Sequence, residues 1–206
     1  MALEVYRYRI EGVSSLLQHN PRVMAEPSGG SATGPKKIPA PEEEAEKATY
    51  RDEEGNLYAP SMWFRASILH GCGGRRIGKT SAKTVISGSV FNMDSRTPLV
   101  RPHTDECVDT YAIHTARVMV QNQGILRSRP EIEPWAANLR LEVDTEFVSP
   151  EIVEELLNVS GRISGVGDWR PQKKGPHGRY SATLLGVDEE FATAAMTDKT
   201  SPNGHN

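Results

Sequence analysis

The segment from Gly161 to Tyr180 combines three residue types that together suit the binding of a polyanion. Glycines allow a positive φ angle or a close approach of the backbone to a ligand. Basic side chains lie among them, and Trp169 and Tyr180 offer flat faces that could stack on a base or support the loop. The basic residues are Arg162, Arg170, Lys173, Lys174 and Arg179. These features predict a nucleic-acid-binding loop, and the alternative is a long solvated turn.

A second basic cluster, Gly73–Thr80, matches the spacing of a phosphate-binding P-loop. That motif needs a strand before the loop and a helix after it, so that backbone amides and a helix N-terminus converge on phosphate. Here a helix is predicted before the motif and a strand, Val85 to Phe91, after it, so nucleotide hydrolysis is not expected. We predict instead a basic surface loop in which Arg75, Arg76 and Lys79 contact a phosphate backbone.

Candidates for acid–base or metal chemistry are sparse. His19 precedes Asn20-Pro21 and is a weak candidate for a general acid or base, with His177 weaker still. A short acidic and sulfur-containing segment has the composition of metal ligands: His103, Asp105, Cys107 and Asp109. No second cluster is evident to complete a metal shell, so no metal and no cofactor are predicted.

The totals limit the class of protein. The chain has 206 residues, enough for one domain with its own core. Its formal net charge is -3, so any surface for nucleic acid must be locally basic. Cys72 and Cys107 form no CxxC pattern, which favours free thiols in a reducing compartment. Without a signal-peptide pattern or an apolar run of spanning length, a cytoplasmic location is predicted.

Hydrophobic periodicity predicts the elements that position these residues. The strand Leu3 to Gly12 alternates, with Tyr6, Tyr8 and Ile10 on its core face. Ser149 and Pro150 begin the clearest helix. The other predicted helix runs from Ser61 to His70, and the other predicted strands are Val85 to Phe91, Thr110 to Gln123, Trp135 to Phe147 and Ser181 to Val187. Arg96 to Asp109 is predicted to be irregular, and Gly124 to Pro134 to lead into a turn.

This order predicts an α+β fold of the ferredoxin-like βαββαβ type. One antiparallel sheet would carry two helices on one face, with the glycine-rich loop before the last strand. Residues 1–190 would form a single domain. Residues 25–48 are poor in bulky apolar side chains and are predicted to be a mobile insertion, and residues 191–206 a disordered tail.

Two segments resemble the RAMP superfamily, whose members include backbone and RNA-processing subunits of CRISPR systems. Gly55 to Leu69 is similar to that family's strand-Pro-Ser-Ser-x-x-[Lys/Arg] start of the first helix, and Gly161 to Tyr180 to its glycine-rich loop. The end of the chain is also similar to uncharacterised phage and prophage proteins. That second likeness rests on Gly165, Gly167, Asp168, Trp169, Arg170, Pro171, Gly178, Arg179 and Tyr180.

The resemblance implies binding of single-stranded RNA or DNA in a bacterial host cytoplasm, within a homo-oligomer or a multi-subunit complex. It also implies that Arg65 faces the bound strand. The leading hypothesis is therefore a non-enzymatic nucleic-acid-binding protein of phage type, forming a repeating assembly. A metal-independent endoribonuclease is the first alternative, against which the absence of an evident histidine pair argues. A structural protein without nucleic acid, with Trp169 as an interface anchor, is the second alternative.

Overall fold

The computed structural model describes residues 3–21, 40–120 and 123–189, and every structural statement concerns those residues. The strands are β1 Leu3–Gly12, β2 Leu16–Leu17, β3 Tyr58–Pro60, β4 Arg76–Ile77, β5 Thr80–Ser81, β6 Val90–Asn92, β7 Arg96–Val100, β8 Ala112–Val120, β9 Gln123–Ile132, β10 Ala136–Asp144 and β11 Tyr180–Val187. The helices are α1 Pro41–Lys47, α2 Met62–Gly71, α3 Ala82–Ser89 and α4 Pro150–Ile163, with a 3-10 turn at Pro171–Lys173.

The fold mixes α and β elements, but the predicted ferredoxin-like βαββαβ fold is wrong. The described residues contain eleven strands in three sheets and four α-helices. The largest sheet has six strands in the order β11-β1-β10-β7-β3, with β6 pairing beside β7 on β10. The second sheet runs β2-β9-β8, and β4 and β5 form a small hairpin. The second sheet and the small hairpin have no place in the predicted topology.

The core lies between the largest sheet and the helices α2 and α4. The predicted core face of β1 is confirmed, because Tyr8 and Ile10 are fully buried. Phe64 of α2 meets the Tyr180 ring edge-on at 5.8 Å. The helix α4 begins as predicted, with the Ser149 hydroxyl accepting from the Ile152 amide at 3.4 Å.

Three local predictions are corrected. The segment Arg96 to Asp109, predicted to be irregular, begins with the strand β7 Arg96–Val100, whose first three residues pair with β3. The segment predicted as the strand Val85–Phe91 is mostly the helix α3, because Ala82 and Ile86 recur at helical spacing and are both buried. The segment 124–134, predicted to lead into a turn, is mostly the strand β9. It pairs with β8 in continuous register from Gln123 to Glu131, which outweighs the presence of Pro130.

Part of the predicted mobile insertion is a packed helix. In α1, Ala45 is fully buried, and the Glu44 carboxylate accepts from the Ser128 amide at 2.9 Å and from Arg127 Nη1 at 2.7 Å. On this edge of β9, β2 pairs only with Glu131 and Ile132, and Glu44 accepts the hydrogen bond of the Ser128 amide, which β2 does not reach. The rest of the predicted insertion before residue 40, and the predicted tail at 191–206, lie outside the described residues.

Candidate functional site

The glycine-rich loop, residues 164–179, joins α4 to β11. Its backbone is fastened to the segment after β1. The Asp168 amide donates to the Leu17 carbonyl at 2.8 Å, and the Gly178 amide donates to the Ser15 carbonyl at 2.8 Å. The loop is thus built into the fold by main-chain hydrogen bonds, which a long solvated turn would lack.

Two glycines of this loop are required by space. A Cβ added at Gly175 would lie 1.7 Å from the Trp169 carbonyl oxygen. Gly178 has a φ of +68°, and a Cβ there would lie 1.8 Å from the Val166 carbonyl oxygen. The loop folds back on itself so closely that neither position can hold a side chain without movement of the backbone.

Trp169 is held in an unusual conformation at the surface. Its φ is +46°, and its side chain remains 40% exposed. Such a backbone costs a non-glycine residue on the order of 1–3 kcal/mol and persists only where surrounding contacts impose it. The indole ring contacts the rings of His114 and His177, with centroids 5.8 Å and 5.5 Å away.

Beneath Trp169 two histidines and a glutamate converge. His114 lies on β8, Glu131 on β9 and His177 in the glycine-rich loop, and the two imidazole centroids are 5.1 Å apart. Glu131 lies beside both, with Oε2 3.6 Å from His114 Nδ1 and Oε1 3.8 Å from His177 Nδ1. The Ser15 hydroxyl donates to Glu131 at 2.7 Å and lies 2.8 Å from His177 Nδ1. We call these four residues the histidine cluster.

Burial also affects the protonation of His177. It lowers the pKa of His177, and the neighbouring His114 lowers it further, while Glu131 opposes the shift. His177 is therefore neutral at neutral pH. The Nε2 atom of His114 is buried and has no hydrogen-bond partner among the described residues.

A second electrostatic contact fastens the same loop to the β8–β9 pair. Arg129 Nε lies 2.5 Å from Asp168 Oδ2, and the Arg129 side chain is only 13% exposed. His19 lies within the field of this pair. Burial lowers the pKa of His19, Asp168 opposes the shift and Arg129 adds to it. Asp168 is thus occupied by an arginine and does not repel an anion as a free carboxylate would.

Arg65, predicted to face a bound strand, is engaged inside the fold. Its guanidinium donates to the carbonyls of Ser87 at 2.9 Å and Val90 at 3.3 Å, and stacks on Phe91 at 4.8 Å. These carbonyls belong to the end of α3, where a cation is favoured by the helix dipole. The structure accounts for Arg65 as a helix cap.

Tyr180 cannot stack on a base in this structure. Its side chain is 1% exposed, and its hydroxyl donates to Ser67 Oγ at 3.1 Å. Burial raises the pKa of its phenol. Tyr180 is a core residue at the start of β11, so the prediction that a base could stack on it is wrong. Of the two rings predicted to stack on a base, Trp169 is the one that is exposed.

The other basic residues predicted to contact phosphate lie in two separate segments, the hairpin after α2 and the glycine-rich loop. The basic hairpin, residues 73–81, contains Arg75, whose Nη1 lies 2.9 Å from Glu155 Oε1. In the glycine-rich loop, Arg170 donates to the Gly167 carbonyl at 2.8 Å. The exposed basic residues from the prediction are Arg75, Arg76 and Lys79 in the hairpin, and Lys173, Lys174 and Arg179 in the loop.

The basic hairpin differs from a P-loop in its backbone. It follows the helix α2, and its turn is closed by β4 and β5 before α3 begins. The amide of Arg75 donates to the Cys72 carbonyl and that of Ala82 to the Arg75 carbonyl. These amides are occupied, so they do not converge on a phosphate.

The residues from 103 to 109 also take a structural role. Asp105 has a φ of +57° and lies 2.6 Å from Arg9 Nη1. In the described part of the chain, the ligand atoms that converge belong to His114, Glu131 and His177.

Sequence reasoning missed His114, Glu131 and Ser15. The signal for two of them is the β8–β9 register, which pairs Ala112 with Glu131 and His114 with Arg129 and so places His114 and Glu131 on one face.

No protein-family model matches the chain, and no curated protein matches it significantly. The resemblance to the RAMP superfamily therefore stays a prediction. Among the described residues, no helix has both the length and the apolar character needed to cross a membrane.

Proposed function

We propose that this chain binds single-stranded nucleic acid, without cleaving it, on the outer surface of the glycine-rich loop. The observation that carries the proposal is Trp169, an exposed indole held at a φ of +46° by the loop around it. A base can stack on a rigid exposed ring with little further loss of conformational entropy. Such stacking tolerates any base, which suits a protein without sequence preference.

The charge of the loop supports a polyanionic ligand. Lys173, Lys174 and Arg179 are exposed on it, and its one acidic residue, Asp168, is paired with Arg129. The locally positive loop therefore contrasts with the net charge of -3 for the whole chain. Three phosphate contacts to a single strand give a slope of about -2 in a plot of log K against log salt concentration.

Cleavage is disfavoured by the geometry of the histidines. A general acid or base must come within hydrogen-bond reach, about 2.6–3.2 Å between heavy atoms, of the proton that it transfers. The rings of His114 and His177 have centroids only 5.1 Å apart, and His177 is 9% exposed. His177 Nδ1 already lies 2.8 Å from the Ser15 hydroxyl and the ring is buried, so it does not reach a phosphate on the loop surface and the pair does not favour hydrolysis.

The test is fluorescence anisotropy of a labelled single-stranded oligonucleotide at two salt concentrations. We expect binding that weakens with salt, and Trp169→Ala to weaken it by about tenfold, since a stacked base contributes about 1–3 kcal/mol. Trp169→Phe keeps an aromatic face and is the matched control, expected to retain most of the affinity. No binding, or binding that Trp169→Ala leaves unchanged, contradicts the proposal.

A second candidate, an assembly protein without nucleic acid, is favoured by one observation. Ile113, Met119 and Leu126 are 39%, 66% and 68% exposed, and the β8–β9 register places them on one face. Exposed apolar side chains on one face of a strand pair suit contact with another subunit. A discrete oligomer in light scattering, lost on Leu126→Glu and formed without oligonucleotide, would favour this candidate.

A further inference from the structure

The histidine cluster brings together the ligand atoms of three separate elements. His114 from β8, Glu131 from β9 and His177 from the glycine-rich loop each place one such atom within 4.8 Å of the others. The three residues come from distant parts of the sequence, so their convergence is a property of the folded chain. It also lies directly beneath Trp169, whose ring contacts both imidazoles.

The chemistry of the three groups selects a class of cation. Two imidazole nitrogens and one carboxylate oxygen suit Zn²⁺ and related divalent transition metals, whereas Mg²⁺ and Ca²⁺ prefer oxygen ligands alone. Bonds of about 2.0–2.2 Å place tetrahedral ligands about 3.3–3.6 Å apart. The three ligand atoms lie within 4.8 Å of one another, so they must draw together by roughly 1 Å to hold one ion.

A second observation points to a missing ligand. His114 Nε2 is a buried polar atom without a partner in the described part of the chain. A buried nitrogen left unsatisfied costs about 1–3 kcal/mol, so its presence needs an explanation. A cation coordinated at this atom would provide one.

Ser15 supplies the outer contact that metal sites commonly have. Its hydroxyl donates to Glu131 Oε1 at 2.7 Å and lies 2.8 Å from His177 Nδ1. Hydrogen bonds of this kind fix the orientation of ligating side chains before the metal binds. Three protein ligands leave a fourth position, which a water molecule or the Ser15 hydroxyl can take.

We propose that His114, Glu131 and His177 bind one divalent transition-metal ion, with Zn²⁺ the best match. The ion joins the glycine-rich loop to the β8–β9 pair and stabilises the surface that presents Trp169. This site does not depend on the proposed function, because its evidence is the ligand set alone. Loss of oligonucleotide binding with metal binding intact would overturn the proposed function and leave the metal site standing.

The test uses the full chain, freed of metal with a chelator and then titrated with Zn²⁺, Co²⁺ or Mg²⁺. We expect elemental analysis by mass spectrometry to find one Zn²⁺ per chain. Bound Co²⁺ should give the visible absorption band of a four- or five-coordinate ion, and Mg²⁺ should not displace Zn²⁺ from the site. His114→Ala and Glu131→Gln should each weaken Zn²⁺ binding at least tenfold, because each removes or weakens one ligand. The matched control is His103→Ala, an exposed histidine outside the cluster, which should change nothing.

Folding of each variant is checked by circular dichroism without metal. His114→Ala removes a partly buried ring, so Glu131→Gln, which is nearly isosteric, provides the independent variant. Two results overturn the proposal: a folded wild-type chain that binds no Zn²⁺ or Co²⁺, or Zn²⁺ binding that neither cluster variant weakens relative to His103→Ala. Zn²⁺ should also raise the unfolding temperature of the wild type more than that of Glu131→Gln at the same Zn²⁺ concentration.

Discussion

The glycine-rich loop and the basic hairpin have similar compositions, yet the structure uses them differently. Both combine glycines with lysines and arginines, and both were predicted to contact phosphate. The loop is fastened by main-chain bonds to residues after β1, by the Asp168–Arg129 pair and by the histidine cluster. The hairpin is a short two-stranded turn whose described ion pair is the exposed contact of Arg75 with Glu155.

The glycines show the difference most directly. Gly178 of the loop and Gly78 of the hairpin both have positive φ, at +68° and +58°. A Cβ at Gly178 would collide with the Val166 carbonyl oxygen, whereas a Cβ at Gly78 would meet no atom within 4 Å. Glycine in the hairpin serves only the turn, whereas glycine in the loop lets two backbone segments touch. Similar composition therefore does not indicate a similar structural role.

Substitution of these two glycines should give the largest contrast. We expect Gly178→Ala to lower the free energy of unfolding by about 3 kcal/mol or more, since it combines backbone strain with a steric collision. Gly78→Ala should cost only about 1–2 kcal/mol, the cost of a left-handed conformation alone. Urea denaturation followed by circular dichroism measures both. Equal losses would show that the loop is not anchored as described.

The two ion pairs should give the next contrast. Arg129→Ala leaves Asp168 without its partner in a partly buried place, so we expect a loss of about 2 kcal/mol, reduced from fully buried pairs by partial exposure. Arg75→Ala breaks a pair whose side chains are 43% and 67% exposed, and we expect at most about 0.5 kcal/mol. Urea denaturation measures both losses, and a double-mutant cycle of Arg129→Ala with Asp168→Asn gives the interaction energy between the two side chains. An Arg129→Ala loss no larger than that of Arg75→Ala would contradict the description of the loop.

Secondary structure and buried faces could be predicted from the sequence where the hydrophobic periodicity of a segment matches its burial in the fold. The core face of β1 and the cap and buried face of α4 follow from patterns within one segment, and the structure confirms them. The helix α3 was missed because Val85 and Ile86 favour a strand locally, although Ala82, Ile86 and Ser89 are buried at helical spacing. The strand β9 was missed because the segment from Gly124 to Pro134 was predicted to lead into a turn, whereas pairing with β8 decides its structure.

The site was less predictable than the fold because its parts are distant in sequence. Trp169 could be singled out by its type and its neighbours. The loop was placed between a helix and the last strand, but its predicted bounds were too wide, because Gly161 to Ile163 end α4 and Tyr180 begins β11. The histidine cluster needed the β8–β9 register and the return of the loop onto it, neither of which follows from a local pattern. Tyr180 shows the opposite error, because an aromatic residue beside basic ones can still belong to the core.

The central claim is that the glycine-rich loop, and not the basic hairpin, contacts nucleic acid. The most direct measurement compares oligonucleotide affinity for two double variants, Lys173→Ala/Lys174→Ala in the loop and Arg76→Ala/Lys79→Ala in the hairpin, across a range of salt. Each removes two exposed cations. We predict that the loop variant binds several-fold more weakly, with a salt slope smaller by about 1, and that the hairpin variant matches the wild type. Equal losses in both, or a loss in the hairpin variant alone, would contradict the claim.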